Sequence, residues 1–593
     1  MSLQKNKKSL RKPEPKTVKK AAPSTSFIPT GYTPWIIAGI LLLTFIAFAP
    51  SLQNDLLKTW DDQAYVTHNE LIQSLSPASV ARIFKEDRGL YANYHPLTTL
   101  SLAFNYAISG ESPTGYHLTN LLFHLLNTML VFFLVLWLPG KRVFAAAVVA
   151  LLFGIHPLHV ESVAWVSERK DVLYTLFFLA SLLAYLRYLQ KNNDLKWYLV
   201  ALLLFGCSLL SKAMAAPLPI VLLLIDYLLR RKWSVRVILE KVPFLLFAIG
   251  FGLLAMKIQS DSNATSSDLF SISSRALHAG YGFVMYVVKL LVPTGLSAFY
   301  PYPYPLVNSA WVLNVTPPIL YITMTASVLL CALVIFLALR GGEKVKIYLF
   351  GCLFYAVTIA IVLQFIPVGR AIMADRYAYL ASVGIFILIG FFADHLALKP
   401  AYRVPVVAVV VLYAAILAVV TFNRTRVWQN DETLWSDVME RYPNDCRIML
   451  PIANRANYYY LEKRMPEALK DYLLANSCNA ADDAVLEKIG RIYGKEMNKM
   501  DSAFYYFTQA YQKNPKNYDV LTDLGIVYGM MGDPRNSLQY SLEALKINDK
   551  DASLLYNIGI TYKTLGDEAK ATEFMDRSAR IAATQDTTKV KSH

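Results

Sequence analysis

The chain has 593 residues, 55% of them hydrophobic and 17% charged, and a net charge of +15. It is too apolar for an ordinary soluble protein and too charged to be all membrane, so two unlike regions are implied. The basic residues fall in short clusters between apolar runs, with no continuous stripe and no known binding module, which argues against nucleic acid as a partner.

Residues 1–26 carry Lys5, Lys7, Lys8, Arg11, Lys12, Lys16, Lys19 and Lys20 among Pro and Ser. With too few apolar residues to pack, the region 1–33 reads as a basic disordered cytoplasmic tail. The run from Pro34 to Leu52 is too long for a signal-peptide core and lacks a small-residue cleavage pattern, so it reads as a retained first span. Further apolar runs at 117–138, 143–156, 171–189, 197–211, 215–229, 238–257, 315–339, 347–366, 378–396 and 403–422 bring the expectation to about eleven spans. Basic connections at Lys141-Arg142, Arg187 to Lys196, Arg230 to Arg236, Arg340 to Lys346 and Lys399 to Arg403 belong on the cytoplasmic side. The run 278–292 carries His278 and Lys289 and would put later basic loops on the wrong side if it crossed, so it reads as interfacial or re-entrant.

These spans make 34–423 a multi-span domain whose first outer loop, 53–115, should hold amphipathic helices. An odd number of crossings places 424–593 on the outer side, together with Trp60-Asp61-Asp62. From about residue 446 the pattern changes to paired short helices. Gly490 and Tyr493 recur as Gly525 and Tyr528, then as Gly559 and Tyr562, at the tetratricopeptide period. About four units result, the first, Ile452 to Asn476, being the least regular, as a cap would be. Cys207, Cys331 and Cys352 lie in apolar runs, while Cys446 and Cys478 bracket that first unit, and none has zinc-site spacing. Across an antiparallel helix pair the last two could come within bridging reach in an oxidising compartment, or stay as two free thiols.

Chemistry-bearing residues cluster in the outer stretches. An ionised Asp costs about 2.5 to 3.5 kcal/mol at the centre of a span, so Asp61 and Asp62 belong at the water interface or in a polar cavity. There they could serve as a base or hold a cation; the plain alternative is that they end a helix and keep a loop wet. The same loop holds Arg82, Lys85, Arg88 and Tyr94-His95-Pro96. Next come His156-Pro157-Leu158-His159 and Glu161, then Trp165, Glu168, Arg169, Lys170 and Asp171. His156, His159 and Glu161 match no common zinc spacing, and Pro157 is better read as a helix breaker. Arg169 and Lys170 could receive a phosphate, with Asp171 opening the next helix. A lone Lys212 between two apolar runs is expensive unless paired or facing a cavity. Gly369-Arg370 and Asp375-Arg376-Tyr377-Tyr379 precede a later span. Acids and bases from five segments on one face have little structural use, and a shared anionic ligand would explain them.

Seven stretches, WDDQAYV at 60–66, YHPLTTLSLAFNY at 94–106, GYHLTNLLFHLLN at 115–127, HPLHVESVAWVSERKDVL at 156–173, LSKAMAAPLPIVLLLIDY at 210–227, DRYAYLASVG at 375–384 and RTRVWQNDETLW at 424–435, resemble the transmembrane and tetratricopeptide-repeat-containing family. Members are C-type glycosyltransferases related in fold to protein O-mannosyltransferases. The resemblance implies an all-α polytopic enzyme followed by a repeat solenoid. Such an enzyme moves a sugar from a polyprenyl-phosphate carrier to an acceptor outside the cytoplasm, expected here to be Ser/Thr of a protein. The family's acidic motif matches Asp61 and Asp62, and its second acid Asp171 or Glu168. This chain has Glu168-Arg169-Lys170-Asp171 where the family often has Gly-Arg-Ala-Asp, which puts the second acid's role in question.

In chemical terms, a carboxylate, Asp61 or Asp62, would take the acceptor proton. Arg169, Lys170, Lys212 and Arg376 would face the donor phosphate, with His95, His159, Glu161, Glu168 and Tyr377 in support. Attack opposite the leaving group predicts inversion. Some C-type enzymes hold a divalent metal such as Mg or Mn on acids like Asp61, Asp62 and Asp171, while others use none, and the sequence supports either. The repeats would present an acceptor protein or recruit a different partner. Competing readings are a non-catalytic anchor for a repeat scaffold in envelope assembly, a transporter, and an enzyme acting on a glycolipid. Sequons at Asn263, Asn314 and Asn423 would matter only in a eukaryotic lumen. The compact outer loops favour a bacterial inner membrane with periplasmic repeats.

Overall fold

The computed structural model describes residues 27–87, 93–261, 270–304, 306–307, 310–311, 316–342, 345–365, 371–478 and 482–590. Residues 1–26 of the basic tail, Arg88, Gly369-Arg370 and the sequons at Asn263 and Asn314 fall outside these. The described chain is all-α apart from short two-stranded pairings such as Tyr300–Pro301 with Ala371–Met373. Helix is what a lipid-embedded backbone requires, because it satisfies its own N–H and C=O groups.

Among the described residues six helices are long and apolar enough to cross a membrane: Thr30–Gln53, Pro113–Trp137, Val166–Gln190, Val235–Ile258, Pro318–Arg340 and Pro400–Val427. A seventh candidate is a pair, Val143–Ile155 and Pro157–Ala164, bent by 49° at the break. Pro157 cannot donate into the preceding turn, and the His156 ring accepts the freed N–H of Leu158 at 3.2 Å. Four shorter apolar helices, Leu195–Ser211, Ala213–Leu228, Lys346–Val362 and Ser382–Ala397, coincide with the remaining apolar runs. The run at 278–292 belongs to one unbroken helix, Ile272–Leu291, so a re-entrant hairpin is ruled out. Both halves of that helix meet the segment that follows it: His278 bonds Tyr304, and Lys289 donates to the carbonyls of Thr294 and Gly295.

In the loop after the first span the expected amphipathic helix is Pro77–Glu86, with Ser76 capping its start and Ile83 buried. Helix Pro96–Ser109 follows and packs on the span behind it.

The last span continues to Val427, four residues past the boundary read from sequence, before Asn430 and Thr433 form a capping box that starts Asp431–Arg441. Four helical hairpins follow: Met449–Leu461 with Met465–Ser477, Asp483–Arg491 with Met500–Lys513, Tyr518–Met530 with Pro534–Ile547, and Ala552–Thr564 with Glu568–Val590. The periodic glycines sit where the two helices of a hairpin touch. A Cβ on Gly490 would meet the Phe507 ring at 2.6 Å, on Gly525 the Ser541 Oγ at 2.3 Å, and on Gly559 the Met575 side chain at 2.8 Å. Cys446 and Cys478 are joined in a disulfide, their Cα atoms 5.4 Å apart, which closes the first hairpin onto the segment before it.

Candidate active site

The loop after the first span ends in a π-helical turn, Gln63–Thr67, and its two acids part company there. Asp62 is buried and saturated. One of its oxygens accepts the Leu57 N–H at 2.9 Å, and the other accepts the Ser167 N–H at 2.9 Å together with the Ser167 hydroxyl. It staples the loop after the first span to the turn that precedes helix Arg169–Gln190. Burial pushes its carboxyl up to about 6, against the bonds from Ser167 and Leu57. The Asp61 carboxylate, by contrast, makes no hydrogen bond or ion pair with any described residue. Burial raises its pKa, with Lys170 opposing, Glu168 adding and Arg376 opposing.

Around Asp61 every other acid and base is engaged. Lys212, at the break between two short helices, reaches Asp171 at 2.6 Å and Glu168 at 3.2 Å. Asp171 also accepts the Ser162 hydroxyl at 3.1 Å. Lys170 lies 3.2 Å from Glu168 and over the Tyr65 ring at 4.8 Å. Arg376 donates to Glu161 through Nη1 and its backbone N–H, and its Nε lies 3.3 Å from Glu168. Burial disfavours its charge, yet Glu161, with Tyr377 and Glu168, holds the guanidinium firmly charged. Three cations thus match three acids, and Asp61 is a fourth acid left over. Arg376 is the most exposed of the three cations, at 18% of its side chain, and its Nη2 has no partner among the described residues. It lies over the rings of Trp165 and Tyr377, which is where Tyr377 joins the site.

Two expected residues do not join. Arg169 follows Glu168 but turns the other way: its guanidinium donates to Asn120, Asn105 and the carbonyls of Ser101 and Tyr116, and none of it is exposed. It ties the loop after the first span to helix Pro113–Trp137, with four of its five N–H donors bonded there and no exposed surface to meet a phosphate. His159 is fixed between the Phe153 carbonyl and the Ser382 hydroxyl, inside the aromatic core. His95 does approach the cluster. Its backbone N–H donates to Asp87 at 3.1 Å, and burial, with the nearby charges of Lys170 and Lys212, lowers its pKa well below the usual histidine value. Burial raises the Asp87 carboxyl to about 7.

Among the described residues no three His, Cys, Asp or Glu side chains gather to hold a metal ion. The acids expected to ligate one do not fit as a set, because both oxygens of Asp62 take N–H or O–H donors and Asp171 is held by Lys212 and Ser162.

Sequence reasoning missed what holds the Asp61 loop. Asp431, in the first turn after the last span, accepts the Lys58 N–H at 2.7 Å, the Thr59 N–H at 2.9 Å and the Thr59 hydroxyl. Trp435 donates its indole N–H to the same hydroxyl at 3.1 Å. Trp60 stacks on Trp165 at 4.0 Å and lies 4.9 Å from Trp435 and 6.2 Å from Trp428. The Asp55 N–H donates to the Gln429 carbonyl, and Lys58 pairs with Glu462 of the first hairpin. The stretch RTRVWQNDETLW contains four of these residues, Trp428, Gln429, Asp431 and Trp435, and was the available signal.

Comparison with known proteins agrees with this organisation. Residues 94–258 match the family model described as dolichyl-phosphate-mannose-protein mannosyltransferase. Protein O-mannosyl-transferase TMTC3 of Homo sapiens is 26% identical over 450 residues, 70% of this chain and 47% of its own. TMTC4 of Homo sapiens is 25% identical over 500 residues, 72% of this chain and 64% of its own. TMTC2 of Homo sapiens is 35% identical over 160 residues, 26% of this chain and 19% of its own. The chain spans about half the length of the first curated relatives it matches. The resemblance read from the motifs is borne out, and the apolar helices make this a multi-pass integral membrane protein.

Proposed function

We propose that this chain, similar over seven tenths of its length to protein O-mannosyl-transferases, is a membrane glycosyltransferase. In this reading it moves a hexose, mannose by analogy with those relatives, from a polyprenyl-phosphate carrier to a Ser/Thr hydroxyl of an extracytoplasmic protein. The observation that carries the reading is the state of Asp61. It is a largely buried carboxylate without a partner, set among side chains that are all paired.

The acceptor oxygen forms a bond to the anomeric carbon while its proton passes to Asp61. The bond from that carbon to the phosphate oxygen breaks, and its electron pair leaves with the lipid phosphate. Attack opposite that oxygen inverts the anomeric centre. Arg376, through its unengaged Nη2, receives the developing charge, and Lys170 adds to the field. Fixed cations near a low-dielectric wall stabilise such charge better than water does, because they need no reorganisation. Glu161 and Glu168 hold Arg376 in place, and neutral His95 adds no competing charge. Asp62, Asp171 and Arg169 hold the surrounding segments together without touching the reacting atoms. The repeat hairpins present the acceptor on the outer side, periplasmic in a bacterium.

The test supplies the purified full chain, in lipid, with labelled polyprenyl-phosphate mannose and cell-envelope protein. Label should move to protein with wild type and not with Asp61→Asn. Equal transfer by Asp61→Asn would overturn the assignment of the base.

A further inference from the structure

The residues that fix the Asp61 loop come from the junction between the membrane domain and the repeats, a region with no role in the chemistry above. We propose that Asp431 is a positioning residue for Asp61, so that the junction 428–435 forms one wall of the active site. The proposal rests on Asp61 being the base.

The loop has few other means of holding its shape. Between the first span and the π-turn it runs Asn54 to Trp60 without regular secondary structure apart from bends, so its backbone donors need partners outside itself. Asp431 supplies them to two consecutive residues: Lys58 at 2.7 Å and Thr59 at 2.9 Å. It is 1% exposed, so water does not substitute for it. Its own place is set by the capping box of Asn430 and Thr433, at the end of a span that is itself bonded to the loop through Asn54 and the Thr425 carbonyl at 3.3 Å. Trp60, one residue beyond Thr59, is wedged between Trp165 and Trp435, and Trp165 is the ring beneath Arg376. Asp61 follows directly. Its direction is therefore fixed on one side by Asp62 on Ser167 and on the other by Asp431 on Thr59. The base and the phosphate-facing guanidinium consequently share one aromatic support.

This arrangement separates two roles of the repeats. Losing an acceptor-presenting surface would raise the KM for a protein acceptor. Losing the clamp lowers kcat for any acceptor, since a base displaced by about 1 Å can cost on the order of 10²-fold.

The experiment compares wild type, Asp431→Ala, Asp431→Asn, Trp435→Phe and Asp61→Asn as full chains in lipid. Transfer from polyprenyl-phosphate mannose is measured to envelope protein and to a short Ser/Thr peptide, alongside amide hydrogen exchange at Lys58 and Thr59. Expected for Asp431→Ala is a loss of at least about tenfold in kcat with both acceptors. Donor KM should stay within about twofold of wild type, and exchange at both amides should be faster. Asp431→Asn keeps one acceptor oxygen and should recover part of the loss. Folded Asp431→Ala with wild-type kcat, or with wild-type exchange at Lys58 and Thr59, overturns the clamp. If Asp61→Asn transfers like wild type, the base assignment falls first and the positioning role falls with it.

Discussion

Lys212 holds Asp171 at 2.6 Å across the break between two short helices, and the same Nζ is 3.2 Å from Glu168. One ammonium therefore neutralises two buried carboxylates from the start of helix Arg169–Gln190. Lys212→Met would strand Asp171, while Glu168 keeps Lys170 and Arg376, and removing one partner of a buried pair costs about 3 to 5 kcal/mol. Thermal unfolding in detergent should show a large drop, and an unchanged midpoint would mean the pairing is incidental.

The two adjacent acids should respond oppositely to isosteric loss of charge. Asp62→Asn turns an acceptor toward an N–H as a donor, at Leu57 or Ser167, which should cost about 1 to 3 kcal/mol of stability. Asp61→Asn relieves a buried charge, so the folded protein should be at least as stable while transfer stops. Paired unfolding and transfer assays read both.

The Asp61 carboxyl sits above its usual value through burial, and a base works only when ionised. Activity is therefore present above that raised pKa and is lost as pH falls through it, starting higher than the ~3.9 of a free Asp. His95 is held neutral well below ~6.5 by burial, so kcat/KM should show no limb from it near neutrality. A profile flat down to the ~3.9 of a free Asp, or an acid limb unchanged in a weakly active Asp61→Glu variant, would contradict the assignment.

Arg169 and Arg376 should separate by kinetics. Arg169→Lys loses the planar set of bonds to Asn105, Asn120 and Tyr116, so stability should fall by about 1 to 3 kcal/mol with little change in donor KM. Arg376→Lys should instead raise donor KM, by about tenfold or more. The reverse pattern would return Arg169 to the phosphate.

The bridge between Cys446 and Cys478 closes a separation of 32 residues. Replacing both with Ser should lower the stability of the repeat region by about 2 to 4 kcal/mol. Added reductant should reproduce the shift in wild type and leave the double variant unmoved.

Much of the fold was legible because its signals are local. Apolar runs gave the helices, a fixed period gave the hairpins, and Gly490, Gly525 and Gly559 marked the contacts within them. The charged cluster was also legible, since Lys212 or Asp171 in an apolar setting demands a partner. Direction was not. Asp61 and Asp62 look alike in sequence, as do Arg169 and Lys170, and only the turn that follows decides which side chain joins the charged cluster. The clamp was hidden for a different reason. Asp431 lies 372 residues from Thr59, and nothing local to either announces the other.

The aromatic support beneath Arg376 has an optical consequence. Four of the nine tryptophans, Trp60, Trp165, Trp428 and Trp435, lie within a few ångströms of one another. Indoles at such separations couple their excited states, so they should give a near-ultraviolet circular dichroism couplet that no dispersed set of tryptophans would give. Because Trp60 enters the stack only when its loop is seated on the junction, the signal reports that seating directly. The protein thus carries an intrinsic gauge of active-site assembly, readable in detergent or lipid without a label and without substrate.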